Sequence, residues 1–138
     1  MNQVLVFRQG GALYGLEVTD IQELVEAPPL YYIPRAAGHY SGAINFHGNV
    51  VPVLDLGVWL ARPGQGRDHR VIVLSLQLGA LALAVEAVQR IVPLDAEALQ
   101  PASEERSEGR FIRAVFVREE QPINLLDPAK LIAGLEQA

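Results

Sequence analysis

Nine positions near the start of this chain keep their character 67 residues later. Val4, Val6 and Phe7 return as Val71, Val73 and Leu74; Leu16 and Val18 as Leu83 and Val85; Ile21, Gln22, Leu24 and Val25 as Val88, Gln89, Ile91 and Val92. Apolar residues at alternating spacing describe strands. The echo therefore has two explanations: any two strand-hairpin-strand segments share such spacing, or the chain holds two similar small β-lobes with a groove between them. In a chain of 138 residues, halves of about 65 residues lie near the lower limit for independent cores. One domain with two lobes is the expectation.

The rest of the chain has the same texture. Short runs of Val, Ile, Leu and aromatic residues, bounded by Gly, Pro, Asn or Asp, read as strands at Val4 to Gln9, Ala12 to Val18, Ile21 to Glu26, Gly42 to Phe46, Val50 to Asp55, Val71 to Leu78, Leu81 to Val85, Val88 to Pro93, Ile112 to Val117 and Pro122 to Leu126. About ten strands make a mainly β fold. Gly10-Gly11 and His47-Gly48-Asn49 suit tight turns that need positive φ, so each predicts an antiparallel hairpin. A helix is expected at the end, where Asp127 can cap, Pro128 takes the first helical position, and Leu131, Ile132 and Leu135 form an apolar stripe. Arg62 to Arg70 and Pro101 to Arg110 are rich in turn formers and charge and read as surface loops. Pro52 cannot donate to a ladder, which predicts that its strand is an edge or bulged strand. Asp55 closes that strand and reads as a turn-capping carboxylate, and Glu23 reads as the solvent face of an amphipathic strand.

The chemistry-bearing residues do not assemble into a catalytic pattern. Gly38-His39-Tyr40-Ser41-Gly42 places its serine one position late for a nucleophile elbow. His39, His47 and His69 have neither helical nor strand-borne metal spacing. Gly64-Gln65-Gly66 lacks the third glycine or the lysine of a phosphate loop. The carboxylates of Glu104-Glu105 and Glu119-Glu120 fall in solvated segments. No catalytic residue, metal site or cofactor is expected. With 11 basic and 16 acidic residues the chain cannot gather a phosphate-neutralising face, so nucleic acid is not an expected partner. Cysteine is absent, which excludes disulfides and thiolate metal sites and fits a reducing cytoplasm. No apolar run reaches the roughly 20 residues needed to span a bilayer, so membrane insertion is not expected.

Three segments together, LVFRQGGALYGLEVTDIQEL (Leu5 to Leu24), SGAINFHGNVVPVLDL (Ser41 to Leu56) and VIVLSLQLGALALAVEAVQRIV (Val71 to Val92), resemble the CheW-like family of bacterial chemotaxis coupling proteins. The family pattern sets an aromatic-glycine pair before a V-x-E-[IV] strand, and then G-x-x-N-x-R-G-x-x-[VI]-P-[VI]-[VI]-D-[LI]. Tyr14-Gly15, Ile21 to Leu24, Gly42, Asn45, Gly48, Pro52 and Asp55 fall in the matching places. The resemblance implies two small SH3-like five-stranded β-barrel lobes packed about a shared core, with a C-terminal helix. It also implies a cytoplasmic, non-catalytic adaptor without a cofactor, which couples the cytoplasmic domain of a chemoreceptor to the regulatory domain of a CheA-type histidine kinase. By matching position, Ile21, Gln22, Glu23, Leu24, Asn45, His47 and Gly48 would face the receptor. The kinase contact, which in the family joins barrel end to barrel end, maps to no particular residue here. This chain departs from the pattern at His47, where the family has arginine, at Glu86, where V-D-x-V is common, and in a short loop from Ser103 to Arg113. Because Met1 leads almost directly into the first strand, a stand-alone coupler is expected. A small-molecule sensor holding its ligand between the lobes is the alternative from a different functional class.

Overall fold

The computed structural model describes residues 2–102 and 107–138. It contains ten strands: β1 (Gln3–Gln9), β2 (Ala12–Glu17), β3 (Ile21–Glu26), β4 (Tyr40–Phe46), β5 (Asn49–Asp55), β6 (Arg70–Leu74), β7 (Ala82–Ala84), β8 (Ala87–Pro93), β9 (Ile112–Arg118) and β10 (Gln121–Leu126). Two helices, α1 (Leu56–Trp59) and α2 (Pro128–Glu136), follow β5 and β10. The strands form two five-stranded sheets, in the orders β8-β1-β2-β10-β9 and β3-β6-β7-β5-β4. No helix among the described residues is long and apolar enough to cross a membrane.

The echo in the sequence is a structural repeat with an exchange built into it. Matching β1, β2 and β3 to β6, β7 and β8, and β4 and β5 to β9 and β10, turns one strand order into the other. Each half divides between the sheets: β1 and β2 join β8, β9 and β10, while β6 and β7 join β3, β4 and β5. Local irregularities repeat as well. In the β3–β6 pair Ile21 faces Leu74 and Glu23 faces Val73, so Gln22 is the extra residue of a bulge. In the β1–β8 pair Phe7 faces Val88 and Val6 faces Arg90, which makes Gln89 its counterpart. In the later strands Tyr40 opposite Leu54 corresponds to Ile112 opposite Leu126, each 72 residues further on. The change of offset hides this part of the repeat from a constant-spacing comparison.

Three apolar clusters explain why β1 and β6 read as unbroken hydrophobic runs. Val4 and Val6 pack with Val92, Phe116, Ile123 and Leu125 inside the first lobe, while Val71 and Val73 pack with Ile44, Phe46, Val51 and Val53 inside the second. The alternate residues of the same strands, Leu5, Phe7, Ile72 and Leu74, meet Tyr14, Leu16, Leu54, Leu83 and Leu131 in a core shared by both lobes. The expected groove between the lobes is therefore mostly packed side chains.

Local signals resolve as follows. Gly10 (φ 58°) and Gly11 (φ 80°) form a two-residue turn closed by Gln9 opposite Ala12. Asp127 accepts the Lys130 N–H and caps α2, and Asp55 caps α1 in the same way through Val58 N–H. Three readings are corrected and one element is added. The strand expected to run to Leu78 ends at Leu74, and residues 76–78 turn back towards β7. The short helix α1 follows β5 directly, where the sequence carries no helical stripe. Of the loop expected over Pro101 to Arg110, residues 103–106 lie outside the described residues and Ser107–Phe111 is a 3-10 turn that delivers Phe111 to the shared core. Pro52 sits on an interior strand, since β5 lies between β7 and β4. Its position is tolerated because Ala43, its partner on β4, directs its own N–H and C=O to Tyr31. Pairing of β5 with β7 then begins only at Val53, so the missing N–H interrupts neither ladder.

Strand β8 is held at its start by a buried carboxylate that precedes β6. Asp68, 7% exposed at its side chain, accepts from Val88 N–H (2.7 Å) and from the Arg70 backbone N–H and guanidinium. Burial alone would raise the Asp68 pKa. The hydrogen bonds from Arg70 and Val88 and the Arg70 charge outweigh it and bring the value from 3.8 down to about 2. A carboxyl more acidic folded than unfolded adds stability above its unfolded pKa and loses it as pH falls through the folded one. Asp68→Asn is thus expected to cost about 2 kcal/mol at neutral pH and to flatten the acid dependence of stability between pH 3.8 and about 2, as read by urea denaturation at a series of pH values. Equal loss in variant and parent throughout that range would refute the assignment. The shared core also implies that both lobes unfold together. Leu83→Ala should cost about 2–5 kcal/mol in one transition seen alike by Trp59 fluorescence and far-ultraviolet circular dichroism, whereas two separated transitions would show independent lobes.

Candidate functional site

The bulge in β3 decides which side chains that strand offers. A 3-10 turn (Val18–Asp20) precedes it, and the Asp20 carbonyl accepts the Ser75 N–H at 2.8 Å, which fixes the entry of the strand against the end of β6. Ile21 and Leu24 are half-buried and pack on the shared core. Gln22, displaced by the bulge, and Glu23 are exposed.

The turn between β4 and β5 approaches Glu23. Phe46 pairs with Asn49, leaving His47 (φ 49°) and Gly48 (φ 86°) as the two central residues, both left-handed, in the geometry that matches the twist of a tight hairpin. A side chain at such a φ costs of order 1 kcal/mol, and Asn45 offsets part of it by accepting the Gly48 N–H on its Oδ1 at 2.9 Å. The His47 ring lies edge-on to Phe46 with centroids 4.5 Å apart, and its Nε2 is 3.6 Å from Glu23 Oε1. That separation is an electrostatic contact between exposed groups rather than a hydrogen bond, and it holds the pair weakly.

The structure thus brings Glu23, Asn45, His47 and Gly48 onto one exposed surface with Gln22 beside it, while Ile21 and Leu24 support that surface from beneath. Sequence reasoning missed Val50, which pairs with Asn45 and is 76% exposed. Its apolar character made it look like a core residue, and no signal in the sequence distinguishes it from Val51, which is buried.

A second polar cluster lies where the lobes meet. Glu86 is 8% exposed at its side chain. Its Oε2 accepts from Arg8 Nε (2.8 Å) and its Oε1 from Gly10 N–H (3.0 Å). The hydrogen bond from Arg8 outweighs the effect of burial and lowers the pKa of the carboxyl. The buried Gln9 completes the cluster, donating to the Arg62 carbonyl and accepting the Glu86 N–H. Beside it an open cleft of about 350 Å³ is lined by Gln9, Asp55, Arg67 and Glu86 among others. Asp55 is paired with Arg67 and Glu86 with Arg8. The two carboxylates that line the cleft are therefore held by structural partners. Such an arrangement joins the β1–β2 turn to the segment after α1, and it offers no group poised for proton transfer.

Comparison with known proteins agrees with this architecture. The CheW-like domain profile matches residues 3–136. The chain is 26% identical over 140 residues to the chemotaxis protein CheW of Klebsiella aerogenes, an alignment covering 99% of this chain and 84% of that one. It is 28% identical over 131 residues to the chemotaxis protein CheW of Rhizobium meliloti, covering 91% and 83%. Its fold matches the crystal structure of the scaffolding protein TtCheW from Thermoanaerobacter tengcongensis with a TM-score of 0.83 at 24% identity, over 91% of this chain and 88% of that one. With a profile match along nearly its whole length and two five-stranded lobes about a shared core, the chain belongs to the CheW-like domain family.

Proposed function

We propose that this chain is a cytoplasmic, non-catalytic adaptor of a chemosensory pathway, which couples the cytoplasmic tip of a chemoreceptor to the regulatory domain of a CheA-type histidine kinase. The observation that carries the receptor half of this reading is the convergence of Glu23, Asn45, His47 and Gly48 on one exposed surface, supported by the half-buried Ile21 and Leu24 and flanked by Gln22. Rigid backbone presents that surface: a bulged strand anchored on β6 and a two-residue turn tied by Asn45. Pre-organised groups bind with less loss of conformational freedom. The placement of the two buried carboxylates in structural roles supports the non-catalytic reading. A ligand-sensing role has less support, since the region between the lobes is mostly filled by the shared core and the carboxylates that line the remaining cleft are paired with Arg8 and Arg67.

Glu23→Lys should weaken co-sedimentation with a receptor cytoplasmic fragment on the order of tenfold while changing stability by no more than about 0.5 kcal/mol, because the position is exposed. Failure of the unaltered chain to form a complex with either the receptor fragment or the kinase would count against the proposal. Asn45→Ala removes the acceptor for Gly48 N–H and is expected to cost about 1 kcal/mol of stability. Receptor binding should fall further than this loss explains, since the orientation of His47 goes with the turn. Unchanged binding in a measurably destabilised Asn45→Ala chain would remove His47 from the surface.

A further inference from the structure

The strap that joins β3 to β4 carries three consecutive exposed apolar side chains, Leu30, Tyr31 and Tyr32. Tyr32 is 84% exposed, more than any other large apolar residue described. The strap does not hang free. Tyr31 exchanges both backbone hydrogen bonds with Ala43 on β4, at 2.8 and 2.9 Å, so the ring beside it is presented from a fixed backbone. Just beyond, Pro34 and Arg35 are the central residues of a turn closed by the Ala36 N–H on the Ile33 carbonyl at 3.3 Å. Arg35 takes φ 61°, which at that place in a turn favours glycine. A long cationic side chain is held there all the same, exposed and with no ion-pair partner among the described residues.

Tyr32 and Arg35 share a hollow with Tyr40, and Tyr40 also walls a neighbouring pocket of about 250 Å³. Its other walls are Pro52, Leu81, Ile132 and Leu135, with the exposed Glu136 beside them. Sites that take drug-sized ligands run to about 300–1,000 Å³, so this smaller apolar pocket suits one large side chain. Glu136 stands in the last turn of α2, which holds no basic residue. An acid there opposes the partial negative charge of the helix C-terminus, and Glu136 likewise has no ion-pair partner among the described residues. The pocket therefore calls for an apolar group with a cation next to it.

We propose that two copies of this chain pair about a twofold axis beside Tyr40, the Tyr32 ring of each entering the α2 pocket of the other and Arg35 meeting Glu136. Because strap and pocket flank one residue, a single axis forms both contacts at once and the assembly closes as a dimer. Strap against strap would oppose Arg35 to Arg35, and pocket against pocket Glu136 to Glu136, so the crossed arrangement is favoured. Each contact buries an aromatic anchor and pairs two lone charges without breaking an existing bridge. None of these residues belongs to the proposed receptor surface, and the inference does not depend on that reading.

Sedimentation equilibrium of the full chain, from micromolar to millimolar, tests this. The mass should rise with concentration from the 15.0 kDa monomer towards twice that value and stop there. Tyr32→Ala, Arg35→Glu and Glu136→Arg should each weaken dimerisation at least about tenfold. An equimolar mixture of the Arg35→Glu and Glu136→Arg chains should dimerise again, since every crossed contact then joins unlike charges. Arg35→Gly separates the interface from the fold: with the positive φ relieved, the thermal midpoint of the dilute monomer should not fall, while dimerisation does. Thermal unfolding checks each variant, and Arg35→Gly or Glu136→Gln replaces a charge-reversed chain that is not folded. A chain that stays monomeric at every concentration overturns the proposal. So does assembly that continues past the dimer, a dimer that Tyr32→Ala and Arg35→Glu leave undiminished, or a mixture that shows no recovery.

Discussion

The middle strands of both sheets are buried on both faces, and the rest of the structure follows from that. Alternate residues of β1 supply two different cores, Val4 and Val6 to the first lobe and Leu5 and Phe7 to the shared layer. β6 repeats the arrangement with Val71, Val73, Ile72 and Leu74. A lobe taken alone would expose one whole face of its sheet, and a 15.0 kDa chain has little surplus stability with which to tolerate that. The division of each half between the sheets adds a topological tie, since each sheet combines two strands of one half with three of the other. Asp68 stands where that tie is made, which explains why a carboxylate is buried there and so fully hydrogen-bonded.

Burial on both faces also leaves little freedom at inward positions, and variation moves to the rims. The bulges at Gln22 and Gln89 interrupt the alternation just where β3 and β8 reach solvent, so the residues beyond them can serve recognition without disturbing the core. The two-residue turns at His47-Gly48 and Glu119-Glu120, which meet Glu23 and Arg90 on those strands, do the same. Their shared backbone shows that the left-handed conformation belongs to the hairpin and not to glycine, which occupies only one of the four positions.

Much of this was legible in the sequence because the signals were local. The hairpin at Gly10-Gly11, the cap at Asp127 followed by Pro128, and the alternating strands depend on neighbours a few residues away. What could not be read depends on partners far along the chain. The loop Arg62 to Arg70 looks solvated, yet Asp68 inside it is buried because Val88 comes to meet it. Pro52 appeared to demand an edge, yet β7 simply starts one residue later. Leu76 continued an apolar run but lies exposed in a turn, since the chain must reverse there to pair β6 with β7. The candidate surface was named through family resemblance, and its seven residues prove to be of two kinds, two half-buried supports and five exposed groups, a distinction set by the bulge and invisible to spacing alone.

A histidine at position 47, where the family motif has arginine, is consistent with the geometry of that turn. Arginine reaches further and forms a planar fork with a permanent charge, while the imidazole is short, lies against Phe46 and comes only within 3.6 Å of Glu23. Glu23 is consequently less firmly engaged than Glu119, whose contact with Arg90 is a direct 2.9 Å hydrogen bond. Of the two pairs, Glu23–His47 and Glu119–Arg90, the one on the proposed receptor surface is thus the looser. A surface that binds another protein gains from groups not already satisfied within the fold, because less interaction must be broken before a partner is met. The first lobe, with its tighter pair and the exposed Ile91 and Val117 close to it in sequence, is suited to a different contact, so a single backbone design supplies two surfaces of unlike chemistry.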